Sequence, residues 1–485
     1  MTKDQEPAKL PPPMSFQTLD YLLFLAAVAL LLRLVAAHRT ARLALLVTAS
    51  YAFYAFGRPL HLLVLVGLTG VDWLFIRAIH RARAARRKLL LSAAVAVDLL
   101  VLAAFKYAAF LSGAVTGSLA ALGAGVEPVT ISLGFPLGVS FYVFSSLTCS
   151  IDVYRGRCEP PASLLDYAAF VSFFPKIVAG PIARARQFLP QLASPPDFTD
   201  AATSHGLFLV LAGLVKKIAL ADFLGRNLVE RVFDAPQRYS SLEVLAGVYA
   251  YTFQIYCDFS GLTDIAIGSA LILGFRLPRN FDLPYRSADL QEFWRRWHMS
   301  LSTWLRDYLY VPLGGNRRGR ARTYLNLFLT MLLGGLWHGA GWTFLAWGGL
   351  HGLGLAATRA VQRLRARLGR PRAPTFAGRL LGGVLTFHFV AFCWIFFRAP
   401  DFDAARAVLA KLGEGTTWAP NLTPTILGVL GVAVALHFLP RLLYERARAA
   451  FVGAPAVAQA AVLVAAGFAL ASVATRFVPF IYQGF

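Results

Sequence analysis

Long apolar segments, separated by short polar turns, run along most of the chain. The first of them cover residues 16–32, 43–56, 60–79 and 89–111. Stretches of this length fit helices that cross a hydrocarbon layer about 30 Å thick. Similar segments continue toward the C-terminus and bring the total to about a dozen, give or take two, because hydropathy does not separate short spans from re-entrant pieces. The pattern predicts an all-α, multi-pass membrane protein.

One apolar stretch, residues 166–192, is too interrupted for a plain span. Pro175, Gly180 and Pro181 divide it, yet it is too apolar for a solvated loop. We therefore expect a re-entrant or interfacial segment there.

A later pair of apolar segments contains two aspartates. Residues 204–225 are expected to cross outward and residues 242–275 to return, with a break at 258–261. Asp258 and Asp264 in the returning segment are either polar cavity residues or internal contacts between helices.

Charged and aromatic residues crowd into residues 289–310. Asp289 followed by Glu292 is a capping box that starts a helix, and Pro312, Gly314 and Gly315 end it. The prediction is a single helix of about twenty residues. At about 100° per residue, an arc of roughly 80° carries polar side chains, namely Arg295, His298, Ser302 and Arg306. The opposite side is apolar and aromatic, with Trp297, Leu301, Trp304 and Tyr308.

The next stretch, after Arg322, is almost wholly apolar until Trp337 and His338. An unbroken helix from Arg322 carries His338 about 24 Å along its axis, deep in the hydrocarbon. Ionisable groups there are costly and usually mark a site, so His338 is predicted to be functional. Glycines that let another backbone approach, or let the helix break, surround it: Gly334, Gly335, Gly339 and Gly341. The alternatives are a packing histidine at His338 and an interfacial side chain without function at His298.

Composition supports membrane insertion, because 57% of the 485 residues are hydrophobic and only 15% are charged. The net charge of +22 would suit nucleic acid, but the basic residues form short clusters between apolar runs, at 81–88, 317–322 and 363–372. Such clusters are typical of cytoplasmic loops, so we expect the lipid bilayer and no nucleic acid as partner. These clusters alternate with loops that have no basic cluster. The alternation predicts a protein of the cell inner (cytoplasmic) membrane with both termini on the extracytoplasmic side. Residues 1–15 are predicted to be a disordered tail, with Met14 as an alternative start.

The chain offers no pattern of metal ligands. The four cysteines, Cys149, Cys158, Cys257 and Cys393, form no CxxC, and no HExxH occurs. Reduced, buried thiols are expected, with no bound metal and no bound cofactor.

Several motifs together give the chain a family resemblance. In chain order they are PLGVSFYVFSSLTCSIDVYRG, FFPKIVAGPIARARQFLPQL, YTFQIYCDFSGLTDIAIG, FRLPRNFDLPYRSADLQEFWRRWHMSLSTWLRDYLYVPLGGNRRG, LTMLLGGLWHGAGWTFLAWGGLHG and WIFFRA. They resemble the membrane-bound O-acyltransferases. Within that family they are similar to the bacterial branch of alginate O-acetylation proteins, teichoic acid D-alanyl transfer proteins and peptidoglycan O-acetyltransferases.

The resemblance implies a ring of about 10–12 transmembrane helices, with re-entrant or interfacial helices, around a central funnel. It implies a single transmembrane domain over residues 16–485 with a catalytic core at about 130–358. His338 in LWHG matches the histidine regarded as catalytic in the family. His298 in RRWH matches the second histidine of the bacterial members.

Acyl transfer to a hydroxyl needs a base for the acceptor proton and hydrogen-bond donors for the oxyanion. His338 is the predicted base, since a neutral imidazole accepts a proton. His298, or Arg295 on its face, would donate to the thioester carbonyl or hold phosphate groups. The remaining residues predicted to bind the donor or line a cavity are Ser302, Arg306, Asp258 and Trp337.

The implied acyl donor is a thioester, acetyl-CoA or an acyl carrier protein, presented from the cytoplasmic side. The acceptor is a hydroxyl of an extracytoplasmic polysaccharide, or a periplasmic or extracellular acetyltransferase partner that carries the acyl group onward. A lipid or protein hydroxyl is the alternative acceptor within the family. From another class, a proton-coupled transporter with His338, Asp258 and Asp264 as a relay is the rival hypothesis.

Overall fold

The computed structural model describes residues 14–56, 59–124, 127, 129–131, 136–369, 375–473 and 481. All regular elements in these ranges are helices, as the hydrophobic pattern predicts. The described residues divide into two compact units, one up to residue 210 together with 265–278 and one of 211–264 together with those from 279 onward. The tail predicted over residues 1–15 lies outside the described residues except for its last two positions.

The first unit begins with helices close to the apolar segments predicted from the sequence. These are α1 (Leu19–Leu34), α2 (Arg39–Ala55), α3 (Pro59–Arg81) and α4 (Ala84–Ala121). Helix α5 (Val139–Tyr154) packs on α3 and α4. The stretch predicted to be re-entrant or interfacial forms helices too short to cross a membrane: α6 (Leu164–Ser172), α7 (Phe174–Ile177) and α8 (Ala185–Ala193).

The second unit contains His298 and His338. In the chain these residues come after α9 (Asp200–Leu214), which continues through π-helical turns at Val215–Asp222 and Gly225–Val229 into α10 (Glu230–Asp234). The later helices are α11 (Ser241–Ile272), α12 (Leu290–Arg296), α13 (Met299–Leu305), α14 (Arg320–His338), α15 (Trp342–Arg367), α16 (Phe376–Arg398), α17 (Phe402–Gly413), α18 (Pro424–Phe438), α19 (Arg441–Gly453) and α20 (Ala456–Val473). The final residues of α11 belong to the first unit.

Among the described residues, five helices are long and apolar enough to cross a membrane: α3, α4, α11, α16 and α20. A sixth span results if α18 and α19, which bend by 92° at their junction, count as one. Leu100 on α4 is 67% exposed and Phe468 on α20 is 75% exposed, so large apolar side chains face outward. Such a surface is costly in water and suits lipid. The ring of about 10–12 spans stays a prediction, since α1 and α2, with 16 and 17 residues, are short for a span.

The break predicted at residues 258–261 is wrong, because α11 runs without interruption from Ser241 to Ile272. Gly261 serves close packing instead. A Cβ atom at this position would lie 2.8 Å from the carbonyl oxygen of Gly213, so only glycine lets the two backbones approach this closely.

The single helix predicted after Asp289 is also wrong, although its start is confirmed. The backbone N–H of Glu292 donates to Oδ1 of Asp289 at 2.8 Å, which is the N-cap bond of a capping box, and Oε2 of Glu292 accepts from the N–H of Ala288, one residue before the cap, at 3.0 Å. The helix then ends after Arg296, and α13 begins at Met299 before a π-helical turn at Arg306–Tyr310.

Residues 280–282 cause this break, because they take over the backbone hydrogen bonds of a continuous helix. The carbonyl oxygen of Arg296 accepts from the N–H of Asp282 at 3.0 Å. The N–H of Met299 donates to the carbonyl oxygen of Asn280 at 2.8 Å. The chain between these two bonds leaves the helical path at Trp297 and His298.

Helices α14 and α15 form a tightly packed hairpin around glycines. A Cβ atom at Gly335 would lie 2.3 Å from the carbonyl oxygen of Phe344, and one at Gly348 would lie 2.5 Å from that of Met331. Between the helices, Gly339 and Gly341 have extended backbones, so the chain breaks directly after His338. Both effects expected of these glycines, close approach and a helix break, are present.

Gly348→Ala is expected to destabilise this hairpin, whereas Gly349→Ala is not. The new methyl group at 348 meets a backbone carbonyl that has no room to move, an overpacking that costs about 1–3 kcal/mol. At Gly349 the nearest atom is Cε2 of Phe328 at 3.7 Å, an ordinary contact, and the better helix former gains up to about 1 kcal/mol. Thermal unfolding in detergent, followed by tryptophan fluorescence, compares the two variants. Equal unfolding temperatures would contradict the packing argument.

Candidate active site

His298 lies at the junction of α12 and α13, where only 1% of it is exposed. Its backbone is left-handed, with φ 40° and ψ 55°, a conformation that costs a non-glycine residue on the order of 1–2 kcal/mol. The bonds to residues 280–282 hold this strain in place. Strained residues that persist in a fold cluster at functional sites.

The His298 imidazole has one bonded and one open nitrogen. Nδ1 lies 3.0 Å from Oδ1 of Asn280. The same oxygen accepts from the backbone N–H of Ser300 at 3.2 Å and from its hydroxyl at 2.9 Å. Nε2 is buried and has no hydrogen-bond partner among the described side chains and backbone. Burial lowers the pKa of His298 to about 3, so the ring is neutral near neutral pH.

His338 is the last residue of α14, and 4% of it is exposed. Aromatic rings of Trp337, Trp347 and Phe397 meet the imidazole edge to face, at centroid distances of 4.8, 5.1 and 5.4 Å. The unbroken helix predicted to lead from Arg322 to this histidine is confirmed, since α14 runs from Arg320 to His338. An ionisable side chain thus ends an apolar helix inside an aromatic cage.

Trp337 contacts both histidines. Its ring centroid lies 4.8 Å from that of His338 and 6.3 Å from that of His298. Phe259 of α11 packs on the His298 ring at 4.7 Å and 83°. The structure therefore gathers both predicted catalytic residues and one predicted cavity residue around a single indole.

The two arginines of the predicted polar face do not join this cluster, because the helix that would align them is broken. Arg295 is exposed, and its Nε donates to the carbonyl oxygen of Gln291 at 3.1 Å. Arg306 is exposed too and pairs with Asp307 at 2.8 Å. Both are surface cations in this structure.

Ser302 is half-buried and donates its hydroxyl to the carbonyl oxygen of Trp297 at 3.1 Å, which ties α13 to the break. The aromatic side chains predicted to anchor the region are buried, Trp297 completely and Trp304 almost so. The apolar face is thus present although the continuous helix is not.

Asp258 is enclosed in an ion cluster. Its Oδ1 lies 2.7 Å from Nζ of the fully buried Lys217, which also contacts Asp222 at 2.8 Å. The neighbouring lysine, Lys216, pairs with Asp264 at 2.6 Å. Of the two alternatives for the aspartates, the structure shows internal contacts between helices.

Three residues near the histidines were missed by sequence reasoning: Asn280, Trp347 and His351. The fully buried His351 accepts a hydrogen bond at Nδ1 from the indole N–H of Trp294, at 3.3 Å. The signal for Asn280 was a single amide inside RNFDLPYR, which periodicity does not distinguish from a loop residue. Trp347 and His351 share one face of α15 with Gly348, a spacing that a helical projection would have shown.

Comparison with known proteins identifies the family of the chain. The profile of the MBOAT, membrane-bound O-acyltransferase family, matches residues 130–397. "Probable alginate O-acetylase AlgI" of Pseudomonas aeruginosa is 42% identical over 400 residues, which are 80% of this chain and 74% of that protein. "Peptidoglycan O-acetyltransferase" of Helicobacter pylori is 35% identical over 391 residues, 75% of this chain and 72% of that protein. "Teichoic acid D-alanyltransferase" of Streptococcus thermophilus is 31% identical over 264 residues, 51% and 63% of the two chains.

The matched range covers more than half of the chain and contains both histidines and the hairpin that carries His338. The apolar helices with outward-facing leucines agree with a multi-pass membrane protein. The chain belongs to the membrane-bound O-acyltransferase family and is a multi-pass membrane O-acyltransferase.

Proposed function

We propose that the protein transfers an acetyl group from a thioester to a hydroxyl, and that His338 and His298 carry the transfer. The observation that supports this proposal is the pair of buried imidazoles that contact one indole, Trp337. His338 takes the proton of the attacking hydroxyl, which makes that oxygen nucleophilic. The oxygen attacks the carbonyl carbon of the thioester, so a carbon–oxygen bond forms and the carbon–sulfur bond breaks. The thiolate leaves with the electron pair of that bond and receives the proton from His338.

The donor is acetyl-CoA or an acyl carrier protein, which reaches the enzyme from the cytoplasm. The exposed basic clusters at 81–88 and 317–322 support this side, because arginine-rich loops stay cytoplasmic. In this orientation both termini lie outside the inner membrane. Arg295 and Arg306 are exposed cations suited to the phosphates of either donor. Ser302 and Trp337 are the other residues that we assign to donor binding. A single domain over residues 16–485 is part of this proposal.

The acceptor is a hydroxyl of a cell-envelope polysaccharide, or of a partner acetyltransferase outside the membrane. The names of the relatives support a polymer, since they refer to alginate, peptidoglycan and teichoic acid. A lipid or protein hydroxyl is the other acceptor class. The transporter hypothesis loses support, because lysines neutralise two of the three groups of its relay, Asp258 and Asp264.

Membrane vesicles of the two orientations test both the reaction and the side of the donor. Inverted vesicles that contain the protein are expected to move labelled acetyl from acetyl-CoA, or from an acetylated carrier protein, to saccharide or to a partner protein. Right-side-out vesicles are expected to be inactive with the same external donor. Vesicles with His338→Gln, made in the same way, give the background. No transfer from either donor, or equal activity in both orientations, would contradict the proposal.

A further inference from the structure

The amide of Asn280 has an orientation that its surroundings determine. A backbone N–H can only donate a hydrogen bond, so the side-chain atom that faces the N–H of Ser300 at 3.2 Å must be the carbonyl oxygen Oδ1. The amide nitrogen Nδ2 then points to the hydroxyl of Thr263, at 3.5 Å. Asn280 is almost fully buried, so water does not compete for either group.

The same oxygen decides which nitrogen of His298 carries the hydrogen. Oδ1 lies 3.0 Å from Nδ1, and a carbonyl oxygen cannot donate, so Nδ1 is the donor. A neutral imidazole has one N–H, and burial keeps this ring neutral. Nε2 therefore has a lone pair and no hydrogen.

Nothing in the described part of the chain uses that lone pair. A buried acceptor without a hydrogen bond costs about 1–3 kcal/mol, and the left-handed backbone of His298 adds to this cost. The rings beside the imidazole, Phe259 and Trp337, are not charged and do not titrate in the usual range. Nε2 of His298 is therefore a buried hydrogen-bond acceptor in an apolar site, and its lone pair is not used within the described part of the chain.

We propose that Asn280 is a positioning residue, which holds His298 in the tautomer whose Nε2 accepts a hydrogen bond from a bound substrate. This assignment rests on the proposed function and reverses the role predicted from the sequence, in which His298 donates to the thioester carbonyl. The substrate group is an N–H or O–H. It comes either from an amide of the thioester donor or from a hydroxyl of the acceptor. Nε2 is enclosed in this structure, so a substrate group reaches it only if a neighbouring ring shifts.

Nitrogen NMR of the protein in nanodiscs, with ¹⁵N-labelled histidine rings, tests the tautomer without any turnover. The His298 signals are those lost in His298→Asn, a change that the left-handed backbone tolerates. Wild type is expected to show a protonated Nδ1 and a bare Nε2. Asn280→Leu removes the acceptor at similar volume, so the ring is expected to populate both tautomers. A protonated Nε2 in wild type, or an unchanged tautomer in Asn280→Leu, would overturn the inference.

Steady-state kinetics identify the substrate that uses Nε2. Loss of one neutral hydrogen bond is expected to raise one KM about two- to tenfold in Asn280→Leu, with a smaller change in kcat. A rise in the KM of the thioester assigns the donor, and a rise in the KM of the acceptor assigns the hydroxyl. Unchanged values for both substrates would contradict a substrate role of Nε2.

Asn280→Asp separates positioning from a merely structural role. The carboxylate of this variant also accepts a hydrogen bond from Nδ1. Its activity near neutral pH is therefore expected to be higher than that of Asn280→Leu and close to that of wild type. The negative charge raises the pKa of His298, and below that pKa Nε2 gains a hydrogen and no longer accepts. The affected KM is therefore expected to rise as pH falls in Asn280→Asp and to stay flat in wild type. Identical pH profiles in the two proteins would count against the inference.

A second buried asparagine provides the matched control. Asn326 holds the carbonyl oxygens of Leu313 and Gly315 through Nδ2, at 3.3 and 3.0 Å. Asn326→Leu is expected to reduce the yield of folded protein and to leave the His298 tautomer as it is in wild type. If no protein transfers acetyl while the tautomer responds to Asn280 as expected, the proposed function fails and the positioning of His298 by Asn280 stands.

Discussion

Purified His338→Gln is expected to lose acyl transfer by about a hundredfold to ten-thousandfold, the range that general base catalysis contributes. Glutamine retains hydrogen-bonding groups but cannot take a proton at neutral pH. It is also close to histidine in size, so the aromatic cage of Trp337, Trp347 and Phe397 remains filled. The measurement is the initial rate of labelled acetyl transfer, with retention on size-exclusion chromatography as the check of folding.

His388→Gln is the matched control for this experiment. His388 is exposed on α16, where its Nε2 contacts the Tyr249 hydroxyl at 2.9 Å, away from the described cage. Its substitution is expected to keep the rate of transfer close to that of wild type. Equal rates for wild type and His338→Gln would remove His338 from the mechanism.

Lys217→Met is expected to destabilise the fold by about 3–5 kcal/mol, the cost of removing one partner from a buried ion pair. Lys217 is fully buried between Asp222 and Asp258, at 2.8 and 2.7 Å. Methionine fills a similar volume but leaves two carboxylates without the cation that offsets their desolvation. Chemical denaturation in detergent, followed by tryptophan fluorescence, measures the free energy of unfolding.

The adjacent lysine shows whether burial is the cause. Lys216 pairs with Asp264 at 2.6 Å, but both side chains are partly exposed, so Lys216→Met is expected to cost only about 1 kcal/mol. Replacing Asp222 and Asp258 by asparagine in Lys217→Met is expected to restore part of the stability, because the uncompensated charge is gone. Similar losses from the two lysine substitutions would refute the argument from desolvation.

The sequence was sufficient to predict the features that depend on residues close to one another in the chain. Helices α1 to α3 follow their apolar segments within a few residues, because a backbone in hydrocarbon must satisfy its hydrogen bonds internally, whereas α4 continues ten residues past the end of its segment. The capping box at Asp289 and the helix that ends at His338 are local in the same sense. The sequence also marked both histidines as candidates, His338 because an ionisable side chain in apolar surroundings is conspicuous and His298 because it lies on the polar face of the predicted helix.

The features that sequence reasoning missed depend on distant partners. A helical projection treats residues 289–310 as isolated, whereas the backbone of residues 280–282 takes over the hydrogen bonds that would continue the helix. For that reason Arg295 and Arg306 do not share a face with His298. The prediction of a helix break near Asp258 was wrong for a similar reason. The cation that compensates the charge of Asp258 is Lys217, which lies on another helix segment. Asn280 gained its importance only when the loop placed its oxygen beside His298.

The glycine-packed hairpin also determines the order in which the site is assembled. Helices α14 and α15 follow each other directly in the chain, so their contacts form early, while contacts with later segments wait for synthesis. His338 and Trp347 therefore come together as soon as the hairpin closes. Phe397, which covers the His338 ring from α16, is added afterwards. A nascent chain that ends before α16 is therefore expected to hold the His338 imidazole beside Trp347 while the contact with Phe397 is still absent.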